Sequence, residues 1–157
     1  MIDSDSFRAA LGRFATGITV VTMRASDGRD HGMTVSAFCS ASLEPSLVLV
    51  SIGHAASIYD FLMNESNIGI SILSTNQEAL SRRFADPESD RFEGIGFSRG
   101  EYGVALLDDA LVHLECHVVD RHEAGDHTIL IAEVDRAALA PGRPLLYYRG
   151  GYAQLEQ

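Results

Sequence analysis

Residues 32–45 read Gly-Met-Thr-Val-Ser-Ala-Phe-Cys-Ser-Ala-Ser-Leu-Glu-Pro, and four small hydroxyl residues fall among them: Thr34, Ser36, Ser40 and Ser42. The segment otherwise reads as buried strand, where a hydroxyl without a partner costs about 1–3 kcal/mol. Two remedies exist. The chain can supply the partners, as in many plain strands and turns, or a flat polar ligand can lie along the backbone. Three further groups of residues could do chemistry. Ser57 stands where a short helix can open, and such a start either caps the helix or seats a phosphate. Arg83, with Phe84 beside it, can complete that seat or point to solvent. Gly125-Asp126-His127 is ordinary turn chemistry that also presents an imidazole. Tyr148, Arg149 and Tyr152 either pack the C-terminal segment or flank a ligand.

Other site chemistries fit poorly. His113 and His117 have the spacing of a helical zinc pair, but Val112, Leu114, Cys116 and Val118 alternate with them at strand period. Four residues of strand span about 13 Å, whereas two ligands of one zinc each lie about 2 Å from it. No metal is therefore expected, and the histidines read as a polar outer strand face. There is no Gly-x-Ser-x-Gly elbow, no His-Glu-x-x-His and no phosphate loop of the Walker type. Gly94-Ile-Gly96 is followed by Gly100, one residue late for a dinucleotide fingerprint, and the run opens no helix.

The elements that must position these residues follow from periodicity. Asp3 or Ser4 caps a first helix with Phe7, Ala10, Leu11 and Phe14 on one face, ending at Gly17. Strands are predicted at 18–23, 32–40 (after an Asp27-Gly28 turn), 47–52, 68–73, 111–120, 127–134 and 145–148. The 47–52 run is apolar enough to be buried on both faces. Short helices are predicted after Ser57, carrying Ile58, Phe61 and Leu62, and over 77–84. Residues 86–106 read as a long loop rich in Gly, Asp and Arg, and loops of that length are often functional. With no linker or repeat, residues 1–157 are expected to form a single, mainly β domain: a β-barrel with a few short helices.

Composition narrows the function classes. At 157 residues, 46% hydrophobic and 22% charged, the chain is an ordinary globular protein with room for a core. No run approaches the ~18 apolar residues of a membrane span, and the acidic N-terminus lacks signal-peptide character, so a cytoplasmic location is expected. A net charge of −10 argues against nucleic acid and anionic membranes. All twelve basic residues are arginine, so a phosphate held by a side-chain cation must meet a guanidinium. Cys39 and Cys116 form no metal spacing or disulfide framework and read as small buried apolar residues.

Four blocks in register carry a resemblance. They are Phe7–Thr22, the hydroxyl run, Gly125-Asp-His127 opening the strand Thr128–Val134, and Pro144–Tyr152. Together they resemble the flavin reductase family, the short NAD(P)H:flavin oxidoreductases that serve two-component monooxygenases. The resemblance covers Phe7 to Tyr152. It implies an FMN-binding split barrel of Greek-key type, a homodimer, FMN or FAD with NADH or NADPH, and a partner oxygenase that receives reduced flavin. On this reading Thr34, Val35, Ser36 and Ala37 face the polar edge of the flavin ring, and Ser40, Ala41 and Ser42 continue toward its ribityl chain. Ser51, Ile52, Gly53 and Ser57 approach the phosphate with Arg83 and Phe84. Gly125, Asp126 and His127 meet the nicotinamide, with His127 as the catalytic residue, and Tyr148, Arg149 and Tyr152 flank the same place. One departure is Glu44-Pro45-Ser46, where the family often has two prolines. A flavoprotein that keeps its FMN and acts on its own substrate, and a non-catalytic flavin-binding module, remain as alternatives on the same fold.

Overall fold

The computed structural model describes residues 1–156. In chain order the elements begin with α1 (Ser4–Leu11), β1 (Thr16–Gly17), β2 (Thr19–Arg24), β3 (Asp30–Val35), β4 (Phe38–Ser42) and β5 (Leu47–Gly53). They continue with α2 (Tyr59–Asn64), β6 (Asn67–Ile72), α3 (Glu78–Ala85), β7 (Phe97–Arg99) and β8 (Ala105–Leu107). The long strands β9 (Val112–Ala124) and β10 (His127–Leu139) follow, then β11 (Leu146–Tyr148) and β12 (Gly151–Ala153). The fold is mainly β, as expected, with antiparallel pairing throughout.

Seven strands share one sheet in the order β3-β2-β6-β9-β10-β5-β4. The strand expected over 32–40 is in fact two, broken at Ser36-Ala37, and these two strands are the opposite edges of that sheet. Two residues reach at most about 10 Å from Val35 to Phe38. The sheet must therefore curl until its edges nearly meet, which gives a barrel with a split at residues 36 and 37. The inner side is filled by Val21, Met23, Val50, Ile52, Ile68, Ile70 and Leu130, with Ile58 and Leu62 from the α2 region packed among them. Burying each such side chain is worth about 1.5–3 kcal/mol. A second cluster (Ile18, Val20, Leu73, Phe84, Leu107, Leu145) joins α3 and the C-terminal segment to the barrel.

Several expectations change. Asp3 does cap α1, accepting the Ser6 amide N–H at 2.9 Å, but the helix stops at Gly12 and buries none of its residues. Strand β5 alternates, with Val48, Val50 and Ile52 inward and Leu49 and Ser51 only half-buried, because none of the described residues fully covers its outer side. The 86–106 stretch contains the β7–β8 hairpin. Buried Thr22 donates its hydroxyl to Ala105 O at 2.6 Å, and the Tyr102 amide donates to Glu115 Oε1 at 2.8 Å. That hairpin covers β9, so Glu115 is buried rather than on a polar outer face. His113 pairs with the Leu107 carbonyl, and His117 donates to Asp135 at 2.6 Å. Of the two cysteines only Cys116 is buried, its thiol pushed up to about 12 by desolvation, while Cys39 on an edge strand is exposed.

Candidate ligand groove at the barrel split

Four adjoining hollows run past the split. Thr16, Gly17, Ser36 and Phe38 line one of ≈ 200 Å³. Ile18, Thr34, Ser36, Ser81, Tyr147 and Tyr152 line the next, ≈ 190 Å³. Thr34 also borders a third of ≈ 270 Å³, with Met33, Ala56, Ser57, Phe84 and Arg91. Ser57 and Arg91 open in turn on a fourth of ≈ 410 Å³. The shared residues make one groove, of which small and hydroxyl residues form much of the wall. A wider hollow of ≈ 500 Å³ lies across α3, but its charged residues are Asp108, Asp109 and Arg83, and that arginine is tied up elsewhere. The net acidic wall makes it a poor seat for an anion.

The hydroxyl run meets the groove only in its first half. Thr34 donates its hydroxyl to Ser81 O at 2.6 Å, so the chain itself supplies this partner. Ser81 Oγ in turn bonds the Tyr152 hydroxyl at 2.9 Å. Val35 is buried and contributes only backbone. Ser36 and Ala37 are exposed; their carbonyls accept the Phe38 and Ser51 amides, and among the described residues neither of their own amides donates to the backbone. Ser40, Ala41 and Ser42 lie on the exposed edge strand β4, interrupted by a bulge, and line none of the four hollows. These serines are not buried, so the cost that pointed to them does not arise.

Ser57 does not open a helix. It sits in the turn before α2, whose cap position is Ile58 with no side-chain bond. Ser57 still lines both of the larger hollows through its turn. Phe84 is fully buried beneath Gly32, where an added Cβ would come 2.9 Å from the ring. Arg83 faces away from Ser57. Its guanidinium binds the carbonyls of Arg91 (3.1 Å) and Asp90 (2.6 Å), and also that of Glu93. This holds the 86–95 segment against α3 and delivers Arg91 to the groove. Arg91 binds the carbonyls of Asp86 and Gly32. Burial holds its guanidinium below the usual arginine range, and among the described residues no carboxylate lies within ion-pair distance. Asp86 acts on it only from beyond ion-pair distance, and a half-buried cation so weakly compensated suits an anionic ligand. The sequence reading passed over Arg91 because a loop arginine carries no periodic signal.

The aromatic choice shifts by one residue. In the β11–β12 hairpin Tyr147 is paired with Tyr152, ring against ring at 5.6 Å, and both line the groove. Tyr148 alternates to the other side and lines none of the hollows, although the two tyrosines are about equally exposed, at 37% for Tyr147 and 41% for Tyr148. Strand alternation from Tyr152 would have found Tyr147. Arg149 occupies the hairpin tip at φ 53°, its amide bonded to Gly12 O, so it ties α1 to the hairpin and lines none of the hollows.

Gly125-Asp126 forms a two-residue turn between β9 and β10, with Gly125 at φ 64° where a side chain would be strained. His127 is exposed and donates Nδ1–H to Asp126 at 2.7 Å, and this bond lowers the Asp126 pKa. Nε2, the other ring nitrogen, lies near Gly53, the register partner of His127. Ser51 and Ile52 lead back from there to Ala37 through the Ser51 N–H bond, Ile52 being wholly buried. His54 beside them contacts Thr128 (3.2 Å) and Glu123 (2.9 Å), a polar cluster the sequence did not suggest. Among the described residues no group of three His, Cys, Asp or Glu side chains is placed to hold a metal, and no helix is long and apolar enough to cross a membrane.

Backbone amides, hydroxyls and the Arg91 guanidinium thus lie along the opening of a split barrel. The chain belongs to the flavin reductase like domain family, whose pattern it matches over residues 11–156. The NADH-dependent flavin reductase of Rhodococcus sp is 44% identical over 153 residues, covering 95% of this chain and 85% of the relative. The reductase component of 4-nitrophenol 4-monooxygenase/4-nitrocatechol 2-monooxygenase of Rhodococcus opacus is 37% identical, covering 96% and 80%. The NADH:FAD oxidoreductase SgcE6 of Streptomyces globisporus C-1027, solved with NAD and FAD fragments, superposes with a TM-score of 0.92 at 35% identity, covering 99% and 96%.

The three carbonyl bonds of Arg83 generate a structural prediction. Arg83→Met removes them, and amide hydrogen exchange in residues 88–95 should quicken at least tenfold, while β9 and β10 stay protected. Unchanged exchange in that segment would show that Arg83 does not hold it.

Proposed function

We propose that this chain is an NAD(P)H-dependent flavin reductase that passes a hydride from nicotinamide to FMN or FAD and supplies the reduced flavin to a partner oxygenase. The carrying observation is the continuous groove at the barrel split, running from Tyr152 and Ser81 past Thr34 to the half-buried guanidinium of Arg91, which has no carboxylate in ion-pair distance among the described residues. It takes a flat ring at one end and an anion at the other.

When both are bound, nicotinamide C4 gives the hydride and flavin N5 receives it. No side chain acts as nucleophile. The protein orients the rings, and orientation alone can remove on the order of 7–11 kcal/mol of a bimolecular barrier. The amides and carbonyls of residues 34–37 meet the polar edge of the ring, where small side chains allow close approach. Ser57 and Arg91 hold the phosphate, and Arg83 positions Arg91. His127, fixed as one tautomer by Asp126, offers Nε2 to the nicotinamide carboxamide. A site of hydroxyls, backbone and one arginine holds flavin with moderate affinity, which lets the product leave.

Residues 1–157 act as one unit, in the cytoplasm, and as a homodimer. Support for the dimer is local: α1 exposes Phe7 and Leu11, Phe14 follows it into solvent, and Leu49, Ile129 and Ile131 on the outer side of the sheet are only half-buried. A second copy covers these residues and closes the open side of the groove.

NADH or NADPH oxidation by dialysed protein is expected to require added FMN or FAD. Oxidation at full rate without added flavin would make the flavin a resident group, and none with any pair would leave only a binding module. Arg91→Ala should weaken FMN at least tenfold and riboflavin, which lacks the phosphate, by less than twofold. Equal losses would remove Arg91 from the phosphate. Gel filtration with light scattering at micromolar concentration is expected to give about twice the 17.0 kDa of one chain; a mass of one chain would overturn the dimer.

A further inference from the structure

Four side chains meet behind the Gly125-Asp126 turn, and the hydride transfer as described uses none of them. Thr128, which is buried, is their hub. Its hydroxyl donates to Glu123 Oε1 at 2.9 Å and lies 2.7 Å from the Tyr59 hydroxyl and 3.2 Å from His54 Nε2. A threonine hydroxyl has one proton and two lone pairs. The proton goes to Glu123, so Tyr59 and His54 both donate to Thr128, and His54 carries a proton on Nε2. The same nitrogen lies 2.9 Å from Glu123 Oε2. The His54 ring also meets Tyr59 edge to face, with centroids 5.1 Å apart.

These residues come from four segments. His54 stands in the turn after β5, Tyr59 opens α2, and Glu123 and Thr128 face each other as a cross-strand pair of β9 and β10. The backbone repeats the tie, since the His54 N–H donates to Asp126 O at 2.9 Å. His127 lies between these bonds. Thr128 follows it in β10, and its ring rests over Gly53, where an added Cβ would come 3.5 Å from Nε2. Its own turn holds the ring weakly: the bond from His127 goes to Asp126, which is itself exposed. The place of the imidazole therefore depends on how firmly residues 53–54 are clamped to residues 126–128. An exposed pair such as His54–Glu123 adds little to overall stability, so the effect of the cluster is local.

We propose that Thr128, Glu123, His54 and Tyr59 are positioning residues for the reductase reaction, which hold the His127 imidazole where the nicotinamide docks. They line none of the hollows of the groove and act only through His127. Because Tyr59 opens the helix that follows Ser57, the cluster also keeps the nicotinamide turn at a fixed distance from the phosphate turn. The inference rests on the flavin reductase reading and deepens it by naming what orients its nicotinamide contact.

The test is steady-state kinetics of the whole protein with NADH and added FMN, run on single and double variants. Thr128→Val keeps the shape of the hub and removes its hydroxyl, and Glu123→Ala alters only an exposed side chain. Each is expected to raise KM for NADH about fivefold, with kcat within about twofold and FMN affinity unchanged, whereas Thr128→Ser, which keeps the hydroxyl, should behave as the unaltered protein. His127→Ala should raise KM at least as much, and adding Glu123→Ala to it should change nothing further, because residues that act through one group are not additive. An unmoved KM in Glu123→Ala, a matching loss of FMN affinity, or effects that multiply in the double variant would overturn the proposal. With flavin-dependent NADH oxidation intact in the unaltered protein, such a result removes the positioning role alone. No oxidation with any nicotinamide and flavin pair would remove the parent reading and this one with it.

Discussion

Ser36 and Ala37 join the two edges of a seven-stranded sheet, and that two-residue link is the constraint on which the rest of the structure depends. A sheet whose first and last strands are neighbours in sequence cannot stay open. It curls until β3 and β4 nearly touch, and the ladder stops where they would meet. Backbone groups at a sheet edge must find partners in solvent, in other segments or in a ligand. Here α3 covers part of the edge, through the bond from Thr34 to Ser81. The rest of the opening is the groove. The same feature that closes the barrel thus leaves a polar strip of backbone with side chains small enough for a flat molecule to approach.

A second layer sets what lies along that strip. Arg83 spends its hydrogen bonds on three carbonyls of one loop, and the loop brings Arg91 beside Ser57. The two arginines divide the work. The first fixes a segment, and the second keeps a charge with no carboxylate in ion-pair distance among the described residues, Asp86 acting on it only from further off. Since Arg91 is partly desolvated, its field at the groove is stronger than that of a surface arginine. At the other end the Tyr147–Tyr152 pair is held by Ser81 and by the Arg82 guanidinium, 4.6 Å from the Tyr152 ring centre. Helix α3 thereby touches both ends of the groove and sets its length.

Much was legible from local pattern. Alternation placed most of the strands, Asp3 announced its cap, and Gly125-Asp126 announced the turn that joins β9 to β10. Four blocks in register carried the family, which the match over residues 11–156 bears out. The errors share one cause. The break at Ser36-Ala37, the burial of Glu115 and the exposure of Ser40 and Ser42 all depend on which remote segment covers a strand face. That Tyr147 rather than Tyr148 lines the groove, and that Arg83 binds the carbonyls of a loop, depends on the same thing, since each turns on which side of its element the residue occupies in the assembled fold.

The sequence by itself determined the fold class, the family and several of the stretches that border the groove, because strand period, turn chemistry and ordered blocks are local properties. Only the tertiary structure decided which residues of those stretches face the groove. Curling one sheet until its edges meet brings Thr34, Ser57, Arg91, Tyr147 and Tyr152 along one opening. Their convergence is a matter of sheet order and loop packing, which no spacing along the chain encodes.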